Sequence, residues 1–146
     1  MRRSMLNKVM TWCLTALALL LLAACTQSSN LNIPEANSFF EKISENYGDI
    51  ANGQIQQFDN VYITVHYTLS SDDFSVQERE EVFEQTRNFF ESENIKEQIV
   101  NKIGSEYDKS MLNEGFTIRF QKPQSKTYWV YFQDSGEWTL TEYKPE

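Results

Sequence analysis

Apolar and polar side chains follow two spacings along this chain, one typical of helices and one typical of strands. Across residues 34–47 the apolar side chains recur every three to four residues, which predicts an amphipathic helix with Pro34 in its first turn. The pair Asn52-Gly53 predicts a turn after this helix. Across residues 61–69 apolar and polar side chains alternate, which predicts a β-strand.

The helical spacing returns after Ser75 and Glu78, which have the spacing of a capping box at a helix start. Asn94 and Glu97 repeat that spacing, so we expect the helix to bend or restart near Glu93. Gly104 is typical of a helix end. The apolar stripe between these signals predicts a long helical segment that packs on one side.

The last part of the chain predicts a β-meander. The segment 105–115 has no clear period, and three alternating runs follow it. Because strands joined by short turns pair antiparallel, these runs form a three-stranded meander. The predicted strands are 116–121, 127–132 and 138–143, and the turns between them are 122–125 and 134–136.

This order of elements predicts an α+β fold, with a four-stranded, mostly antiparallel sheet and helices packed on one face. Alternation assigns each strand residue to a face. The face toward the helices is expected to hold Val61, Ile63, Val65, Tyr67, Leu69, Phe116, Ile118, Phe120, Tyr128, Val130, Phe132, Trp138 and Leu140. On the opposite face we expect a candidate binding surface formed by Tyr62, His66, Arg119, Trp129, Tyr131 and Tyr143, among threonines and glutamines.

Residues 1–24 have a different character from the rest of the chain. Arg2, Arg3 and Lys8 are followed by sixteen uncharged residues, a stretch shorter than the roughly 20 that span a bilayer. The stretch ends in Leu22-Ala23-Ala24-Cys25.

This tetrad resembles the lipobox of bacterial lipoproteins, and the resemblance covers residues 1–25 only. The resemblance implies cleavage between Ala24 and Cys25, with acyl chains on Cys25 that anchor the protein to the outer face of the cell membrane or to the outer membrane. Residues 1–24 are then the signal peptide, 25–32 a tether and 33–146 a single α+β domain. An ordinary cleaved signal peptide and an uncleaved anchor helix are the alternatives. An ordinary cleaved signal peptide would leave Cys25 as an unmodified thiol. An uncleaved anchor helix would need a longer apolar stretch to span the bilayer.

Charge and composition limit the classes of partner and the kind of fold that we expect for the mature chain. Beyond residue 24, ten bases against 21 acids give a formal charge of −11, which disfavours nucleic acid. The full chain has 10 Phe, 7 Tyr and 3 Trp, and this aromatic content argues for a packed core rather than a disordered chain. Apart from Cys25 the mature chain has no cysteine, so we expect the domain to be held together by its core, without an internal disulfide. We also expect it to be a monomer.

The long helix followed by a meander, with Gly136-Glu137-Trp138 near the end, is similar to cystatin-like and NTF2-like lipoprotein domains. The strand before the long helix departs from the simplest cystatin order. This resemblance concerns element order and carries no catalytic motif.

His66 is the one histidine, and no metal-ligand spacing or nucleophile motif accompanies it. We therefore expect no cofactor and no catalysis, and the first hypothesis is a non-enzymatic binding or accessory domain whose partner is an envelope protein or a glycan. The alternative is a small envelope hydrolase that uses His66 and a nearby acid.

Overall fold

A computed structural model describes residues 28–58, 62–104 and 115–144 as one sheet with helices on one of its faces. The strands are β1 (Ser28–Leu31), β2 (Ile50–Phe58), β3 (Tyr62–Leu69), β4 (Phe116–Gln121), β5 (Tyr128–Asp134) and β6 (Glu137–Tyr143), and the helices are α1 (Pro34–Asn46), α2 (Val76–Phe90) and α3 (Glu93–Ile103). The segment 105–114, which had no clear period, lies outside the described residues, as do Ala24, Cys25 and Val61.

The sheet follows the chain order from β1 to β6. Every neighbouring pair is antiparallel except β3 and β4, which run parallel. That parallel pair needs a long crossover, and α2 and α3 lie within it. The α+β class and the C-terminal meander are therefore confirmed, while the sheet is mixed and has six strands in the described part rather than four.

Strand β1 was not expected, because Ser28–Leu31 was assigned to the tether. The four residues pair antiparallel with the last four residues of β2, and Leu31 packs against the core. Its sequence, Ser-Ser-Asn-Leu, has no strand pattern of its own. The strand forms because β2 offers it a row of backbone partners. Only Thr26 and Gln27 separate Cys25 from the sheet.

Strand β2 runs through Asn52 and Gly53, where the sequence predicts a turn. Gly53 lies opposite Tyr67, under α1. A Cβ atom at position 53 would lie 2.6 Å from Cδ1 of Phe40 and 2.9 Å from Cε1 of Tyr67. The glycine therefore serves a close approach between strand and helix, not a turn.

The three helices place their apolar side chains on one face of the sheet. Phe40 of α1 packs edge-on against Tyr67, and Phe83 of α2 stacks on Tyr131. The helix-facing core includes Ile33, Ala36, Ile43, Val82, Phe90, Ile95 and Ile99 with Ile63, Val65, Leu69, Phe116, Ile118 and Phe120 of the sheet. None of the helices in residues 28–58, 62–104 and 115–144 has the length and apolar character needed to cross a bilayer.

The expected capping box is present at the start of α2. The Ser75 hydroxyl accepts from the backbone N–H of Glu78, and the Glu78 carboxylate accepts from the backbone N–H of Ser75. The helix restarts near Glu93 as expected, but the N-cap residue is Ser92, so Asn94 lies inside α3 rather than capping it. Gly104 ends α3 with a φ of 126°, as expected.

Strand β5 has the opposite orientation to the one expected. Trp129 and Tyr131 face the helices and are buried, with Trp129 8% exposed, whereas Tyr128, Val130 and Phe132 face away. Trp138 lies on the helix face but is only half-buried, and Leu140 is exposed. Alternation alone could not decide this orientation, because both rows of β5 are aromatic or apolar.

Candidate binding face

The sheet surface opposite the helices, which we call the polar face, is formed by alternate residues of all six strands. Its central row runs from Gln54 of β2 through His66, Arg119 and Val130 to Thr141 of β6. The flanking rows are rich in hydroxyl, amide and phenol groups: Gln56, Thr64, Thr117, Phe132 and Thr139 on one side, and Asn52, Thr68, Gln121, Tyr128 and Tyr143 on the other.

Arg119 is the one permanent cation among the strand residues of this face. Its guanidinium carbon lies 3.8 Å from the centroid of the Tyr128 ring, and Tyr128 stacks on Tyr143 with ring centroids 4.9 Å apart. Nη2 of Arg119 donates to Oε1 of Gln121, while Nε is buried and has no acceptor. Burial lowers the pKa of this guanidinium, and the π-faces partly offset its lost hydration.

His66 is the cross-strand neighbour of Arg119. Both ring nitrogens are buried, and neither has a hydrogen-bond partner among the described residues. Burial, with repulsion from Arg119 as the smaller cause, lowers the pKa of His66 to about 4. The imidazole is therefore neutral at pH 7.

The other charged groups lie apart from this pair. Asp134 and Glu137 follow the same alternation at the β5–β6 turn, four residues along β5 from Val130, the neighbour of Arg119. Across the row beside His66, the hydroxyls of Thr64 and Thr117 lie 2.8 Å apart. The centre of the polar face thus combines one cation with neutral hydrogen-bonding groups.

The six residues expected on one surface divide between two faces. Tyr62, His66, Arg119 and Tyr143 lie on the polar face, and Tyr62 and Tyr143 are 54% and 46% exposed. Trp129 and Tyr131 lie under the helices and cannot contribute to the same surface. Tyr128 and Gln121, which were not singled out as binding residues, take their place beside Arg119.

Arg79 of α2 contacts Trp129 and Tyr131, the two aromatic residues that had been expected on the polar face. Its guanidinium carbon lies 4.8 Å from the centroid of the Trp129 ring, and its Nε donates to Oη of Tyr131 at 3.0 Å. Oη of Tyr131 donates to Glu80 at 2.6 Å. Burial raises the pKa of Tyr131. The sequence did hold a signal for this site, because Arg79 occupies the apolar stripe of α2 three residues before Val82.

Two concavities on the helix side are further candidate ligand sites. A cavity of about 250 Å³ is lined by Phe90, Glu91, Lys96, Ile99, Phe116, Gln133 and Trp138. It is smaller than the roughly 300–1,000 Å³ typical of ligand pockets. An open cleft of about 470 Å³ between α1 and β2 is bordered by Glu41 and Glu45 and has few apolar walls.

Within the described ranges no three His, Cys, Asp or Glu residues cluster at metal-binding distance. No family model matches the chain, and no curated protein and no solved structure matches it.

Proposed function

We propose that this protein is a lipid-anchored lipoprotein of the bacterial cell envelope whose domain acts as a non-enzymatic binding or accessory module. The observation that carries the anchor is the order of features at the N-terminus: basic residues, an uncharged stretch, then Leu22-Ala23-Ala24-Cys25. The domain would lie on the outer side of the cell membrane or on the outer membrane.

Acyl chains account for attachment that the domain's own charge opposes. A formal charge of −11 beyond residue 24 is repelled by anionic headgroups. A single acyl chain binds a membrane only marginally, whereas two anchor it stably, at about 0.8 kcal/mol for each buried methylene. A diacylglyceryl group on Cys25 supplies two.

The polar face is the proposed binding surface, and Arg119 is the residue that supports it most. In the described part of the chain the other arginines pair with glutamates, Arg79 with Glu80 and Arg87 with Glu84, while Arg119 pairs with no carboxylate. A ligand acceptor at this half-buried guanidinium meets a cation that has no carboxylate partner, and the hydrogen bond it forms is charge-assisted.

The stack beside Arg119 adds surface suited to recognition. Tyr and Arg side chains are enriched where binding energy concentrates, and Tyr128 and Tyr143 present both ring surface and phenol groups there. The threonines and glutamines of the neighbouring rows offer hydrogen bonds to hydroxyl or amide groups. An envelope glycan or an extended protein segment is the proposed partner.

No contact between His66 and an acid among the described residues supports the hydrolase alternative. A general base is normally oriented by a hydrogen-bonded partner, and no carboxylate among the described residues reaches His66. His66 is therefore assigned to the proposed binding face rather than to catalysis.

The anchor is tested by replacing Cys25 with Ser in the full chain. The Cys25→Ser protein should lose its acyl label and leave the membrane fraction or accumulate unprocessed. Cys13→Ser is the matched control, because it alters the other cysteine of the chain and should keep both label and location. Continued acyl labelling of Cys25→Ser contradicts the anchor.

The binding face is tested by the double variant Arg119→Ala with Tyr143→Ala. We expect pull-down from envelope extracts to lose the partners of the wild-type protein, while the melting temperature changes little. Arg87→Ala, which removes an arginine on the helix side, is the control and should retain those partners. If the control loses them and the double variant keeps them, the binding surface lies on the helices.

A further inference from the structure

One end of the sheet brings the start of the described chain next to two aromatic side chains. Ser28, the first residue of β1, is the cross-strand partner of Phe58, and Phe58 is the partner of Tyr62. We call Ser28, Phe58 and Tyr62 the aromatic corner. Since neighbouring strands lie about 4.8 Å apart, Tyr62 stands roughly 10 Å from Ser28.

The proposed anchor lies close to this corner. Two residues, Thr26 and Gln27, separate Cys25 from Ser28. Because an extended residue spans at most about 3.6 Å, Ser28 can lie no farther than roughly 11 Å from Cys25. An acylated Cys25 is held at the bilayer surface, so the same surface is within reach of the corner. A freely rotating tether of eight residues, as the sequence suggests, would impose no such restriction.

The chemistry of the corner suits a lipid–water interface. Tyr62 is among the most exposed large hydrophobic side chains of the described residues, at 54%. A phenol ring has an apolar body and a polar tip, and tyrosine is enriched at the headgroup level of membranes for that reason. Phe58 beside it is half-buried and extends the apolar surface.

The strands that meet at this corner carry no charged side chain. Strands β1, β2 and β3 contain no Asp, Glu, Lys or Arg, although the chain beyond residue 24 carries 31 such residues. Asp59, between β2 and β3, lies outside the described residues, and the acids of the β5–β6 turn at the same end of the sheet, Asp134 and Glu137, lie about 10 Å and 14 Å from β3 by strand spacing. The three strands nearest the anchor therefore add no charge that anionic headgroups would repel.

We propose that the aromatic corner rests on the bilayer, with Tyr62 among the lipid headgroups and the β6 edge directed away from the membrane. This inference rests on the proposed acylation of Cys25. It fixes the orientation of the polar face, because Tyr143 then stands farthest from the lipid. By strand spacing and rise, Tyr143 is about 25 Å from Tyr62.

Site-specific fluorescence on the acylated full chain tests the orientation. The mature chain has Cys25 as its one cysteine, and its thiol is blocked by the acyl group, so Tyr62→Cys and Tyr143→Cys each provide a single labelling position. The two positions are matched, because both are exposed tyrosines of the polar face. The labelled proteins are placed in phosphatidylcholine–phosphatidylglycerol vesicles that carry a nitroxide at the headgroup-proximal position.

We expect the label at position 62 to be quenched about threefold or more over that at position 143, because quenching requires contact and about 25 Å separates them. Equal quenching, or stronger quenching at 143, overturns the orientation. Mass spectrometry of the same samples reports the acyl group on Cys25. Its absence overturns the anchor and the orientation together, whereas an acylated protein without quenching at 62 overturns only the orientation.

Chemical modification of the wild-type side chains provides a second measurement that requires no substitution at the corner. A water-soluble diazonium reagent should modify Tyr143 and spare Tyr62 on vesicles. In the Cys25→Ser protein, free in solution, both should react. Equal reaction of Tyr62 in the two proteins contradicts the proposed contact with lipid.

Discussion

Nε of Arg79 donates a hydrogen bond to Oη of Tyr131 at 3.0 Å, which joins the first turn of α2 to the centre of β5. The same guanidinium lies over Trp129, which Lys122 covers at an equal distance of 4.8 Å. One buried arginine thus satisfies the polar group of one aromatic residue and packs on another. This contact joins the helix-facing row of β5 to α2, whereas in the opposite row Tyr128 contacts Arg119 of the neighbouring strand.

Replacing Arg79 with Ala should therefore destabilise the domain more than replacing Arg87 with Ala. Arg79 is 7% exposed, and its loss removes a buried donor and the packing on Trp129, a change worth about 1–3 kcal/mol. Arg87 lies on the same helix and pairs with Glu84 at the surface, where such pairs contribute about 0–1 kcal/mol. Urea unfolding of both variants measures the difference. Equal losses would show that the contact with β5 is not what stabilises this face.

Gly53→Ala should be destabilising although alanine is the smallest change possible. The added Cβ would lie 2.6 Å from a ring carbon of Phe40, so helix and strand must separate. Overpacking of this kind costs about 1–3 kcal/mol. Gly48→Ala is the control, because a Cβ there meets no atom within 4 Å. If thermal melting gives the two variants the same stability, the close approach of α1 to β2 is not as described.

His66 predicts a dependence of stability on pH. Its pKa falls from the ordinary 6.5 to about 4 in the folded protein. Between these values the unfolded chain binds more protons, so this residue favours folding fully above pH 6.5 and progressively less as the pH falls toward 4. The slope is at most about 1.4 kcal/mol per pH unit. His66→Gln should remove this part of the slope, measured as the difference from the wild-type protein.

The same residue allows a direct measurement, because the chain has a single histidine. Nuclear magnetic resonance of the imidazole should give a pKa near 4. Arg119→Gln should raise it, since repulsion from Arg119 is the second cause of the shift, after burial. Arg87→Gln on the helix side should leave it unchanged. A wild-type pKa near 6.5 would contradict the burial of the ring.

A chain that begins at Ile33 should be less stable than one that begins at Ser28. The shorter chain lacks β1, which removes the backbone partners of the β2 edge and the packing of Leu31 on the core. Loss of a half-buried leucine and a four-residue strand should lower the urea midpoint measurably, by about 1–3 kcal/mol in unfolding free energy. Equal midpoints would mean that Ser28–Leu31 acts as a tether after all.

The elements with a strong local pattern were predictable. Alternation over 61–69 and 116–121 correctly places Ile63, Val65, Ile118 and Phe120 in the core, because each has polar neighbours on the other face. The capping box at Ser75 was equally clear. On the candidate site, Tyr62, His66, Arg119 and Tyr143 fall on one face for the same reason. The local pattern is sufficient there because apolar side chains are buried and the polar side chains between them lie on the other face.

Where the two faces of a strand have similar side chains, the sequence could not decide which face is buried. The two rows of β5 were assigned to the wrong faces, because both rows consist of large and mostly apolar side chains. One row is Trp129 and Tyr131, and the other is Tyr128, Val130 and Phe132. The row that faces the helices contacts Arg79, which is fifty residues away from Trp129 in sequence and reaches β5 only through the packing of α2.

The sequence by itself determined the α+β class, the helix starts that carry capping residues, the C-terminal meander, and the expectation of a lipid anchor at Cys25. Only the tertiary structure decided that Ser28–Leu31 joins the sheet, that Gly53 lies inside a strand, and which row of β5 faces the helices. The physical reason is common to all three. Backbone pairing at a sheet edge, the close approach of a helix and a hydrogen bond to a buried arginine join residues distant in sequence, and no local spacing encodes them.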